Sequence, residues 1–86
     1  MPLDIIGSPE NVVAQMRRAI ETAIPGAQVD VIASSPGHFE IKVVSATFAG
    51  RSMVQQQQMV YGAIKDLMAG DHAPVHAIDR LRTAVS

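Results

Sequence analysis

Apolar and polar positions follow two periods along this chain, and the switches between them mark out its predicted elements. From Pro9 to about Ile24, Val12, Val13, Met16, Ile20, Ala23 and Ile24 recur at spacings of three and four. They form one stripe of a helix, with Gln15, Arg18 and Glu21 largely opposite. Ser8 is the expected N-cap, Pro9 suits the first helical position, and Pro25-Gly26 ends the helix. The period then becomes two. Ala27, Val29, Val31 and Ala33 share one face of a strand, with Gln28, Asp30 and Ile32 on the other. After the turn residues Ser34-Ser35-Pro36-Gly37, alternation resumes from His38 to Ser45. Phe39, Ile41 and Val43 point inward and His38, Glu40 and Lys42 outward, so the two strands read as an antiparallel hairpin.

Ala46 to Arg51 forms a tight connection in which Phe48 plugs the core and Gly50 takes a restricted conformation. Ser52 and Gln55 have the spacing of a capping box and open helical structure through Met68, with a break expected near Gln57. Val60, Ile64, Leu67 and Met68 make its stripe, Gln55 to Gln58 read as a polar face, and Gly70 is the expected C-cap. A loop, Asp71-His72-Ala73-Pro74, leads to a third strand over Val75 to Arg82. Its inner face has two readings, because Val75, Ala77 and Leu81 share one parity and His76 and Ile78 the other. The order αββααβ predicts an α+β sandwich, with helices covering one face of a three-stranded sheet.

At 86 residues the chain has room for one domain, expected over residues 8–86 behind a loose arm at 1–7. Hydrophobic residues make up 48% and the mean hydropathy is +0.18, so a core is expected; with Phe39, Phe48 and Tyr61 the only aromatics, it should be aliphatic and Met-filled. The absence of Cys excludes disulfides and any thiolate site made by this chain alone. No stretch approaches the ~18 apolar residues of a membrane span, and MPLDIIGSPE lacks the pattern of an export signal; a cytoplasmic protein is expected. A net charge of −1 gives no general attraction to phosphate backbones. Arg17-Arg18 and Arg80/Arg82 are local basic pairs, with Lys42, Arg51 and Lys65 scattered.

Histidine is the one side chain here that combines metal ligation with titration near neutrality. His76, between Val75 and Ala77, reads either as a hydrogen-bonded structural histidine or as a ligand. His38, on the solvent-facing parity after a turn, reads either as a ligand at the sheet rim or as a plain exposed residue. His72 lies in a loop, and Pro74 keeps it from sharing a helix face with His76. Asp30, Glu40, Asp66, Asp71 and Asp79 are dispersed with no acid–base pairing, and Ser34-Ser35 are explained by the turn, so no enzyme is read.

Three separated motifs, HFEIKVVSATFAG, QQMVYGAIKDLM and VHAI, occur in the order found in the BolA-like family, which this chain resembles over about half its length. QQMVYG, where many relatives carry an R-H-R run, makes it most similar to the YrbA/IbaG acid-stress branch. The resemblance implies a class II KH-like fold and a stress-related or regulatory role. It also implies partnership with a monothiol glutaredoxin, in which a [2Fe–2S] cluster is shared between the glutaredoxin Cys, a glutathione thiol and imidazole from this chain. His76 falls on the family's iron-binding VHA histidine. The family's second ligand comes from a Cys or His in the loop between the first two strands; SSPG contains neither, and His38, directly after it, is the substitute inferred by proximity. Imidazole ligation implies a cluster that weakens as histidine protonates.

Arg80 and Arg82 are the expected contacts to an acidic glutaredoxin surface, and a homodimer is a further possibility. The tail IDRLRTAVS departs from the aromatic and Pro/Trp ending common in relatives. The competing reading is a nucleic-acid-binding transcriptional regulator using a KH-like or helix-turn-helix surface, with Arg51 and Lys65 as its contacts. It lacks a GXXG clamp, since the loop reads FAGRSM, and Gln55 and Gln56 replace the family's basic residues.

Overall fold

The computed structural model describes residues 9–86; the expected arm at 1–7 and the Ser8 cap lie outside them. Helix α1 spans Pro9–Ala23, strand β1 Gln28–Ser35 and strand β2 His38–Val44. A single 3-10 turn, Ala46–Phe48, follows, then helix α2, Met53–Met68, and strand β3, Ala77–Ala84. The predicted α+β sandwich is present, but its order is αββαβ: the two central helices expected in αββααβ are one helix, and the 3-10 turn lies in the stretch expected as a tight connection. The expected break near Gln57 does not occur, and α2 is continuous. Its start is the predicted capping box: Gln55 N–H donates to Ser52 Oγ at 3.1 Å, and Ser52 N–H donates to Gln55 Oε1 at 3.0 Å. No described helix is long and apolar enough to cross a membrane.

The sheet runs β1-β2-β3, with β1 antiparallel and β3 parallel to the central β2. A two-residue turn suffices for the antiparallel pair, whereas the parallel pair needs a crossover, and α2 provides it. Both helices pack on one face. Val12, Met16, Ile20 and Ile24 of the α1 stripe and Val60 and Ile64 of α2 close over Val29, Val31, Phe39, Ile41 and Val43 of the sheet, with Phe48 fully buried among them. Burying each such side chain contributes roughly 1.5–3 kcal/mol. Of the methionines, Met16 is at the centre, Met59 and Met68 pack at the margin, and Met53 is exposed, so the core is aliphatic more than Met-filled. Ala23, the last residue of α1, and Ala33, which pairs with Phe39, are assigned to the inner stripes by their spacing but are exposed.

Two other expectations change. Gln56 is not on a polar face: it stands one turn before Val60 on the row that continues to Ile64, and it is buried, donating from Nε2 to the Arg51 carbonyl at 3.0 Å. The third strand begins at Ala77 instead of Val75, and its inner face changes parity midway. Ile78 pairs with Phe39, but Arg80 pairs with Glu40, which leaves Asp79 as an extra residue, a β-bulge. Ile78 before the bulge and Leu81 and Thr83 after it therefore all turn toward the helices, opposite Phe39, Ile41 and Val43.

Candidate functional site

The hairpin turn and the segment entering β3 meet at one end of the sheet. The Gly37 carbonyl accepts the N–H of both His76, at 2.8 Å, and Ala77, at 3.1 Å, which ties the crossover segment to the turn. Gly37 has φ +78°, a region costly for residues with a Cβ. The imidazole of His76 occupies the space such a Cβ would need, 2.7 Å from Nδ1 and 2.8 Å from Cγ. His76 itself is exposed, and its ring forms no hydrogen bond or ion pair with another described residue. The description of a hydrogen-bonded structural histidine does not apply to its ring among the described residues; the ring is positioned by packing on Gly37, and no described residue pairs with its nitrogens.

His38 pairs with Ala77, the neighbour of His76, so both histidines stand at the same rim. Their surroundings differ. Two bulges flank His38: Ser34 is the extra residue between the pairs Ala33↔Phe39 and Ser35↔His38, and Asp79 is the extra residue of β3. Bulges bend a strand and re-aim side chains, and here both aim at one ring. His38 Nδ1 lies 3.0 Å from Asp79 Oδ1. The Ser34 hydroxyl lies 3.1 Å from Asp79 Oδ2 and 3.2 Å from the His38 carbonyl, its single proton serving one acceptor at a time. The hydrogen bond from His38, then that from Ser34, holds the Asp79 carboxyl below its ordinary range. An ionised carboxylate only accepts, so Nδ1 carries the proton and, in the neutral ring, Nε2 carries the lone pair.

Within the described residues no three His, Asp or Glu side chains converge as a metal site, and the chain has no Cys. The donors at this rim are two imidazoles. They suit a group whose remaining, softer ligands come from another molecule, and they do not suffice to hold one alone. His72 is exposed in its loop and joins neither histidine in any ion pair or hydrogen bond.

Arg80 and Arg82 lie on the sheet face that the helices leave open. The register sets Arg80 beside Glu40, and Arg82 beside Lys42 and, across β2, Asp30. With Arg17, these six side chains line a shallow depression that begins next to Asp79. Arg51, just before the Ser52 cap of α2, and Lys65, in its last turn, are both exposed; the helix from Met53 to Lys65 alone rises about 18 Å at 1.5 Å per residue, and the fold does not bring them together. Sequence reasoning missed Gly37, Ser34 and Asp79 as site residues. A Gly after Pro in a turn was the available signal for the first, and none existed for the pairing of Asp79 with a ring 41 positions earlier.

Comparison with known proteins agrees with this architecture. The family model described as "BolA-like protein" matches residues 17–84. A solved BolA protein homologue from Coxiella burnetii superimposes with a TM-score of 0.68 at 25% identity, covering 91% of this chain and 90% of that one. BolA1 from Arabidopsis thaliana gives a TM-score of 0.68 at 20% identity, covering 85% and 89%. The BolA domain of SufE1 from Arabidopsis thaliana gives 0.65 at 18%, covering 86% and 91%. The last two likenesses concern the fold alone. No curated protein matches the sequence.

Proposed function

Because the chain belongs to the BolA-like family, we propose that it is an accessory protein, not an enzyme, that partners a monothiol glutaredoxin and contributes imidazole to a shared [2Fe–2S] cluster. The observation that carries this reading is His76: an exposed ring, seated on Gly37 and unpaired among the described residues, in a chain with no thiolate of its own. His38, at the same rim, is the second donor in place of the Cys or His that the SSPG loop lacks. Bound between the two proteins, the cluster would supply transferable iron and sulfide for trafficking or iron and stress regulation. The chain's own part is to present neutral imidazole at a fixed rim, with thiolates coming from the glutaredoxin Cys and glutathione.

The motif QQMVYG supports placement in the YrbA/IbaG branch and, with it, a role in stress response in the cytoplasm. The open sheet face with Arg80 and Arg82, adjoining the His38 rim, supports docking of an acidic partner surface. The nucleic-acid reading has less behind it, since Arg51 lies just before the cap of α2 and Lys65 in its last turn.

The test is reconstitution of the purified chain with a monothiol glutaredoxin, glutathione, iron and sulfide. The visible circular dichroism should differ from that of the glutaredoxin homodimer cluster, and the two proteins should co-elute. An unaltered spectrum without co-elution contradicts the proposal.

A further inference from the structure

Asp79 interrupts the pairing of β3, Ser34 interrupts the pairing of β1, and both interruptions fall beside His38. A strand gains nothing in pairing from an extra residue, so two bulges converging on one ring call for an explanation beyond sheet formation. Their side chains form a chain of contacts, from the Ser34 hydroxyl to Asp79 Oδ2 at 3.1 Å and from Asp79 Oδ1 to His38 Nδ1 at 3.0 Å. Carboxylates stand behind metal-ligating histidines in this way generally, fixing the tautomer and orientation of the ring and raising its basicity as a ligand.

We infer that Asp79, steadied by Ser34, is a positioning residue that locks His38 as the Nδ1–H tautomer and makes its Nε2 the second imidazole donor of the shared site. The inference rests on the iron–sulfur reading for the identity of the metal group, but the relay itself belongs to the apo chain. It accounts for a rim that works without a Cys or His in the SSPG turn. A loop ligand is replaced by a strand residue, and the rigidity a loop lacks is supplied by a hydrogen-bonded carboxylate. His76 needs no such partner because Gly37 seats its ring by contact. The two donors are therefore held by different means, one by packing and the other by hydrogen bonding.

The first arm of the test is the long-range proton–nitrogen correlation spectrum of the imidazoles in the apo chain under mildly alkaline conditions, which favour neutral imidazole. Wild-type His38 is expected with a protonated Nδ1 and a pyridine-like Nε2. Asp79→Ala is expected to return it to the Nε2–H form that an unconstrained side chain favours, leaving the His76 signals in place. An Nε2–H form of His38 in the wild type overturns the relay without recourse to a variant, as does a His38 spectrum unmoved by Asp79→Ala.

The second arm is pulsed electron paramagnetic resonance of the reduced mixed cluster. Two coupled imidazole nitrogens are expected in wild type, with the second lost in His38→Ala and weakened or lost in Asp79→Ala. A single coupled imidazole in wild type overturns His38 as donor while leaving the family reading with His76 intact. Failure of wild type to assemble any mixed cluster overturns that reading and His38 as an iron ligand with it, and the tautomer arm still judges the relay.

Discussion

The ring of His76 rests on the backbone of Gly37, with its Nδ1 2.7 Å and its Cγ 2.8 Å from where a Cβ would stand, while the His76 N–H donates to the Gly37 carbonyl at 2.8 Å. One turn residue thus seats the candidate ligand and anchors the segment that leads into β3. The dependence has a direct consequence for substitution. Gly37→Ala places a methyl group against the ring and a Cβ on a residue with φ +78°, a backbone strain of order 1–3 kcal/mol. Denaturant unfolding should show a loss of about that size, and the His76 ring resonances should shift. Gly62 provides the contrast: it lies inside α2 with nothing near its missing Cβ. Gly62→Ala should therefore stabilise the fold by about 0.5–1 kcal/mol. Equal effects of the two changes would contradict the account of Gly37.

Asp79 carries the acid-side consequence of the His38 pairing. Its carboxyl is held below the ordinary 3.8 in the folded chain, first by His38 and then by Ser34. A carboxylate depressed on folding contributes stability that is present above its unfolded pKa and is lost as pH falls through the lowered folded value. The increment should therefore be complete above about pH 4 and disappear below it. A carbon-13 titration of the Asp79 carboxyl should give a midpoint below 3.8 that rises in His38→Ala. A midpoint indifferent to His38 would mean that the contact does not persist in solution.

Ser45 joins three parts of the fold from a fully buried position. Its hydroxyl accepts the Thr47 N–H at 3.1 Å and donates to the Pro25 carbonyl at 3.0 Å, and its own N–H donates to Ala84 O at 3.1 Å. Ser45→Ala strips the first two bonds and leaves a part-buried N–H without its acceptor, which should cost about 1–3 kcal/mol. The Pro25 carbonyl keeps the Thr47 hydroxyl at 3.1 Å, so the cost should fall at the lower end. Thermal unfolding measures it, and a variant as stable as wild type would show that the network is dispensable.

Much of the architecture was readable because it rests on periods and local chemistry. The α1 stripe, the Val29/Val31 and Phe39/Ile41/Val43 alternations, the Phe48 plug and the Ser52/Gln55 box are each decided within a few residues. What the sequence withheld depends on contacts between distant positions. The two parities in VHAIDRL looked contradictory, yet Ile78 from one and Leu81 from the other both turn inward, on either side of the bulge at Asp79, whose presence depends on the pairing with β2. Gln56 looked like part of a solvated run, but the i, i+4 row to Val60 and Ile64 carries it inward. His38 and His76 were legible as candidates through their motifs. The carboxylate behind one and the glycine beneath the other were not, because partners 39 to 41 positions apart are set by tertiary register and not by spacing in the chain.

The central claim is that the free imidazole of His76 is a ligand supplied to a partner-held cluster. It is tested most directly by comparing wild type with His76→Ala in complex with a monothiol glutaredoxin, glutathione, iron and sulfide, using visible circular dichroism, with far-ultraviolet circular dichroism of the apo chains as the fold control. The account predicts that the mixed-cluster spectrum vanishes in the variant while the apo fold is retained, since the ring is exposed and bonded to no other described residue. A variant that folds and gives the wild-type cluster spectrum contradicts it.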